Sequence, residues 1–221
     1  MLQPSTLKFL KDLKKNNNKP WFEKNKSLYL AAKDDFESFI EKLITETGKQ
    51  ADPTIGKLQV KDCVFRIYRD VRFSKDKTPY KSNMGASLNM GGKKIHSAGY
   101  YFHCEPGQSF VAGGFYMPMP PELARIRQEI DYNFPEWKKI VENKSFKKFF
   151  IKGVEGVELL SRPPKGYDEN NPAISYLKMK SFIVSHPVSN EVLVSKTLLK
   201  ECIQSFKTMK SMNDFLNAAI K

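Results

Sequence analysis

No stretch of about 18 consecutive apolar residues occurs in this chain, which excludes a hydrophobic membrane-spanning helix. Cysteine is scarce. Cys63, Cys104 and Cys202 are odd in number, far apart and without a CxxC pair, so no disulfide framework is expected. They read as reduced, buried thiols of a cytosolic protein. In that setting the two glycosylation sequons, Asn25-Lys26-Ser27 and Asn143-Lys144-Ser145, are inert. The opening MLQPSTLKFLKDLKK has neither the apolar core nor the cleavage site of a secretion signal. There is no P-loop, no GxSxG, no HExxH and no dinucleotide fingerprint. Histidine numbers three, and His96, His103 and Cys104 fit no zinc-ligand spacing, so neither metal nor cofactor is expected.

Arginine is also scarce. Only six of the 37 basic residues are Arg, against 24 acidic residues, a net charge of +13 and a pI near 9.5. The lysines are spread along the whole chain, which argues against a nucleic-acid stripe, because affinity there needs the charge on one face. The arginines are clustered: Arg66, Arg69 and Arg72 in one segment, Arg125 and Arg127 in another, Arg162 apart. A chain whose default cation is lysine uses arginine where the planar fork matters, and that fork grips carboxylate or phosphate with paired hydrogen bonds.

The 221 residues suit one domain spanning 1–221. Ser5 reads as the cap of a short helix bearing Leu7, Leu10 and Leu13. Pro20 opens a long helix whose apolar spacing runs from Trp21 to Ile44 and stops at Gly48. Asn25, four residues from both Trp21 and Tyr29, interrupts its inward face. From about 55 to 117 the texture becomes aromatic and β-branched, which predicts strands over 57–60, 63–73, 82–90, 98–105 and 108–116. Glu105-Pro106-Gly107-Gln108 marks a hairpin, and Gly113-Gly114 a bulge or a close backbone approach. Helices are expected from MPMPPELARIRQEI onward, with a late strand at SFIVSHPV, a helix capped at Ser189 or Asn190 running through Phe206, and a last one over 213–220. The whole reads as α+β: a mainly antiparallel sheet from the middle of the chain, with N- and C-terminal helices packed on it.

The densest cluster of charge is VFRIYRDVRFSKDKTPYK, residues 64–81, with six cations and two acids. As a strand it places Arg69 on the apolar face with Phe65, Ile67, Val71 and Phe73. Arg127 shares the side of Leu123 and Ile130 on its helix. One account is an ion-pair network internal to the fold. The other is an anion pocket, because two acids cannot neutralise six cations. A buried guanidinium without a partner costs several kcal/mol, so Arg69 needs one of the two. The pocket reading enlists Arg66, Arg69, Arg72, Lys77, Tyr80 and Arg127, with Asn25 and His103 as wall residues. His103 and Glu105, two apart on one strand face, suit a base and its orienter.

NNNKPWFEKNKSLY, RIYRDVRFSKDKTPYK, AGYYFHCEPGQSFVAGGFYMP and LKMKSFIVSHPV, in this order, resemble the bacterial family of conserved hypothetical proteins called domain of unknown function 2461. The resemblance spans nearly the full length. It implies one compact domain in a cytosolic setting and no assigned activity. The functional expectation from the residues is binding of a small anion or phosphate ligand at the arginine-rich pocket. The alternatives are a phosphoester-handling enzyme, a weak nucleic-acid-binding module and a plain interaction protein. With dispersed lysines, duplex binding at 0.15 M salt is expected to be weaker than about 1 μM. A filter-binding titration showing tighter association would overturn the dispersed-charge reading.

Overall fold

The computed structural model describes residues 1–93 and 95–221. Pro4 opens helix α1 (Pro4–Lys15), and Gln3, not Ser5, stands at its cap. The start of α1 is tied down by Asp35, whose Oδ2 accepts from the Gln3 amide at 2.8 Å and the Thr6 hydroxyl at 2.6 Å. The long helix expected from Pro20 is two. In α2 (Lys19–Lys24), the Asn18 side chain accepts from the Trp21 amide; α3 (Lys26–Gln50) follows. Asn25 makes the break. Its amide bonds back to the Trp21 and Phe22 carbonyls, and its Nδ2 donates to the Trp21 carbonyl at 2.8 Å. Those carbonyls would otherwise be orphaned at a helix end. Gly48 lies inside α3 rather than stopping it.

Two of the expected strands do not form. Residues 57–60 fall on a 3-10 turn (Ile55–Lys57) and the start of α4 (Val60–Cys63). Over 63–73 only Val64 and Tyr68 bridge, to Ala86 and Tyr80. The reason lies in where the backbone groups go. The Arg69 amide donates to the Pro79 carbonyl, and the Lys81 amide to the Ile67 carbonyl, so the chain closes a loop on itself instead of extending the sheet. Strands β1 (Met84–Leu88), β2 (Gly99–Cys104) and β3 (Phe110–Phe115) follow as an antiparallel meander. The hairpin at 105–108 is present, with the Gln108 amide on the Glu105 carbonyl at 2.8 Å and Gly107 at φ 83°.

Four helices come next: α5 (Pro120–Tyr132), α6 (Phe134–Val141), α7 (Lys144–Phe149) and α8 (Ile174–Leu177). Strand β4 (Phe182–Pro187) then adds antiparallel to β3, giving the sheet order β1-β2-β3-β4 and an α+β architecture. Ser189 caps only the short α9 (Asn190–Leu193). The two C-terminal helices expected from the sequence are one helix, α10 (Leu198–Ala219). Asn213 does not begin a new helix. It is buried, and its Nδ2 donates to the Gly99 carbonyl at 3.0 Å. Among the described residues no helix is long and apolar enough to cross a membrane.

Alternation sorts the sheet into two faces. Ala86, Leu88, Tyr100, Phe102, Val111 and Val184 are buried beneath α3 and α10, where Phe36 and Phe39 meet Phe102 and Phe206 meets Tyr100. Tyr101, His103, Phe110 and Ser185 line the other face and stay half-exposed. The Gly113-Gly114 pair serves close approach, since the β3–β4 pairing runs through it without a bulge. A Cβ at Gly113 would strike the Met209 sulfur of α10 and lie 2.7 Å from the Gly99 carbonyl oxygen. At Gly114, where φ is 115°, it would collide with the Phe182 carbonyl of the neighbouring strand. Gly114→Ala is therefore expected to cost about 2 to 4 kcal/mol, as backbone strain and overpacking add. Urea denaturation checks this; an unchanged midpoint would show that β4 can move aside.

Candidate functional site

The loop of residues 69–79 pairs both of its arginines with its own two acids. Arg69 Nη1 donates to Asp76 and to the Thr78 hydroxyl and carbonyl. Asp76 is held down at about 2, first by the Thr78 amide and then by the Arg69 guanidinium. Arg72 grips Asp70 with Nε at 3.0 Å and Nη2 at 2.7 Å, a two-point pair on the surface. Lys77 Nζ donates to the Val71 carbonyl at 2.9 Å and, at 3.4 Å, to that of Arg72. Tyr80 is buried at the loop base, its ring stacked on Phe22 at 3.9 Å and its amide on Asn17 Oδ1 at 3.1 Å. For Arg69, Arg72, Lys77 and Tyr80 the structure therefore builds the internal network, and not the shared anion pocket.

Asn25 and Arg127 do not join them. Asn25 spends its side chain on the α2 carbonyls. Arg127 rides on α5, which packs against α8 and α10, and its Nη2 donates to the Met179 carbonyl at 3.1 Å. Its Nε is buried with no partner among the described residues, and burial lowers the pKa of the guanidinium, which Tyr167 partly opposes. The expected convergence of Asn25, Arg69 and Arg127 rested on each interrupting an apolar face. Each interruption instead has a local cause: a helix junction, a loop staple and a carbonyl across a helix contact.

Arg66 stands apart from its neighbours. No carboxylate pairs with it among the described residues; Asp70 feels its charge but gives its oxygens to Arg72. Arg66 lines a cavity of about 270 Å³ between α3 and residues 60–67. Lys33, Lys61 and Lys93 line it too, against a single carboxylate, Glu37, which pairs with Lys33 at 3.1 Å. Lys93 Nζ is fixed by the Lys61 and Val64 carbonyls at 2.7 and 2.6 Å. Next to this group, burial and then the Arg66 charge lower the pKa of Lys81, whose ammonium lies 5.4 Å from the centre of the Phe65 ring. The α3 contribution was latent in the sequence: Tyr29, Lys33, Phe36 and Glu37 fall at helical spacing on one side. Lysine is so common in this chain that no signal singled them out. A larger open cleft, about 1150 Å³, lies between α6, α7 and α10, but its cations Lys139 and Lys207 are outnumbered by Glu129, Glu136 and Asp214. It gathers no surplus positive charge, so the smaller cavity is the better candidate for an anion.

His103 belongs to a second constellation, on the outer sheet face. Its Nε2 lies 3.3 Å from Glu105 Oε2 and its Nδ1 3.0 Å from the Tyr101 hydroxyl. A carboxylate only accepts, so Nε2 carries the proton and Nδ1 accepts from Tyr101. Glu105 Oε1 accepts from Lys14 of α1 at 2.9 Å and from Ser82 at 3.0 Å, partners 91 and 23 residues away. The Tyr101 ring reaches this position because residue 85 has no side chain; a Cβ there would sit 2.5 Å from the hydroxyl. Burial, then Glu105, push Tyr101 up to about 12. Cys104 lies on the opposite, buried face of the strand, and among the described residues no three His, Cys, Asp or Glu gather as a metal site.

This network sets an acid limit. Burial lowers the His103 pKa, with Glu105 opposing, so its neutral form is favoured in the fold. Burial raises the Glu105 pKa, but hydrogen bonds from Lys14, His103 and Ser82 outweigh it and the net shift is downward. Both groups bind fewer protons folded than unfolded, so both contributions are complete at neutral pH and shrink in acid. The His103 part is lost as pH falls from the unfolded value of about 6.5 through its folded value, and the Glu105 part below about 4.3. Thermal midpoints recorded from pH 7.5 to 4 are expected to fall, and in His103→Gln the upper limb of that fall is expected to flatten. Parallel curves for the two proteins would refute the assignment.

No curated protein and no solved structure matches the chain. Residues 5–215 match the family described as Conserved hypothetical protein (DUF2461). With nearly the whole fold inside that match, the chain belongs to the DUF2461 family of conserved hypothetical proteins.

Proposed function

We propose that the protein binds a small anion in the cavity between α3 and residues 60–67, with Arg66 as the principal grip. The observation that carries the reading is the charge imbalance of the lining: among the described residues, four cations, one carboxylate, and that carboxylate already paired. Clustered like charges raise the cost of folding unless acceptors, water or a ligand compensate them, and Arg66 and Lys61 have no carboxylate partner among the described residues. The reading is of binding rather than catalysis. Glu37 is committed to Lys33, and the imidazole of His103 sits on the far face of the sheet with both nitrogens engaged. The phosphoester-handling alternative has no free carboxylate or imidazole at the cavity to serve as base, and the dispersed lysines favour no nucleic-acid surface. A cytoplasmic setting accompanies the proposal, supported by three free, buried cysteines.

A thermal-shift titration with inorganic phosphate, at ionic strength held constant with chloride, tests it. At 100 times the dissociation constant the expected gain is about 2.7 kcal/mol. Arg66→Ala is expected to abolish the increment. Arg69→Ala, which removes only the loop staple, is expected to lower the starting midpoint and keep the increment. No shift in the natural protein, or the same shift in Arg66→Ala, would overturn the proposal.

A further inference from the structure

Resting on that reading, we infer that the ligand is a phosphate monoester carried on a flat apolar body, not a bare inorganic ion. The cavity has two unlike sides. Arg66, Lys61, Lys93 and the Lys33–Glu37 pair supply the polar side. Phe36, Val64, Ile67 and Met84 supply an apolar one, and no ion needs them. A site built for inorganic phosphate alone would ring it with donors, because apolar wall offers a dianion nothing and removes its water. The size points the same way. About 270 Å³ is roughly nine times the ~30 Å³ share of one water molecule, more room than a four-oxygen anion fills.

The charges of the donors suit a dianion. Lys93 Nζ, with three protons, gives two to backbone carbonyls and keeps one to offer from a fixed position. Arg66 brings a fork free of any carboxylate partner among the described residues, and Lys61 a second full charge. A phosphate monoester carries nearly two negative charges at neutral pH, a better match to this surplus than a single carboxylate. Tyr29, also in the lining, is a hydroxyl at neutral pH, with its pKa pushed further up by burial, and it has no hydrogen-bond partner among the described residues. It is placed to donate to an ester oxygen while its ring faces the ligand's body.

The probes are inorganic phosphate, phenyl phosphate and phenol, each titrated into the full chain by isothermal calorimetry at constant ionic strength. Phenyl phosphate is expected to bind about tenfold more tightly than inorganic phosphate, the ratio that burying roughly 60 Å² of apolar surface provides. Phenol is expected not to bind. Val64→Ser, at a partly exposed position beside Ala86 on the α3 face and so expected to fold, should bring phenyl phosphate down toward the affinity of inorganic phosphate. Equal affinity for the two phosphates would overturn this inference and leave the anion reading standing. Binding of neither phosphate, or of phenol as tightly as phenyl phosphate, would overturn both.

Discussion

Helix α10 lies on the sheet at Gly113, where the absence of a side chain lets the Met209 sulfur sit against the strand backbone. Much else follows from that contact. It brings Asn213 within 3.0 Å of the Gly99 carbonyl and seats Phe206 on Tyr100. With α10 and α3 covering one face, alternation leaves Tyr101 and His103 on the other. The same packing holds α3 beside β1, and the cavity occupies the gap that α3, the end of α4 and residues 64–67 leave near Met84.

Electrostatics explains why an excess of cations need not make a basic groove. The 69–79 loop uses Asp70 and Asp76 for its own arginines and turns Lys77 inward onto carbonyls. Exposed pairs of this kind contribute little energy each, but together they set the loop's shape. What remains is the charge with no acid partner among the described residues: Arg66 and Lys81 near each other at the loop base, Lys75 within the loop, and Lys61 and Lys93 at the cavity. Surplus charge is informative in this molecule only after the internal pairs are removed.

Much of the fold was legible because periodicity reports on burial. The change from helical to alternating spacing placed β1, β2 and β3, the hairpin turn and the antiparallel class, and SFIVSHPV placed β4. The failures share a cause. Residues 63–73 alternate as a strand does, yet their hydrogen bonds close a loop, because Arg69 and Lys81 find carbonyls across that loop. Asn25 looked like a polar intrusion in one long helix and is the point where that helix breaks. Of the site, Arg66 and the His103–Glu105 pair could be singled out from residue type and spacing. Lys33, Lys61, Lys93 and Lys14 could not, since each is one lysine among many until the chain folds.

The sequence by itself determined the class of architecture, the reduced state expected of the cysteines and the segment where arginine is concentrated, because these depend on composition and on neighbours a few residues apart. Only the tertiary structure decided which cations are neutralised and which are left facing a cavity. Ion pairing depends on distances of a few ångströms between groups 7 residues apart, as Arg69–Asp76 are, or 91, as Lys14–Glu105 are. No local pattern records such a distance, since the fold that creates it is the product of the whole core.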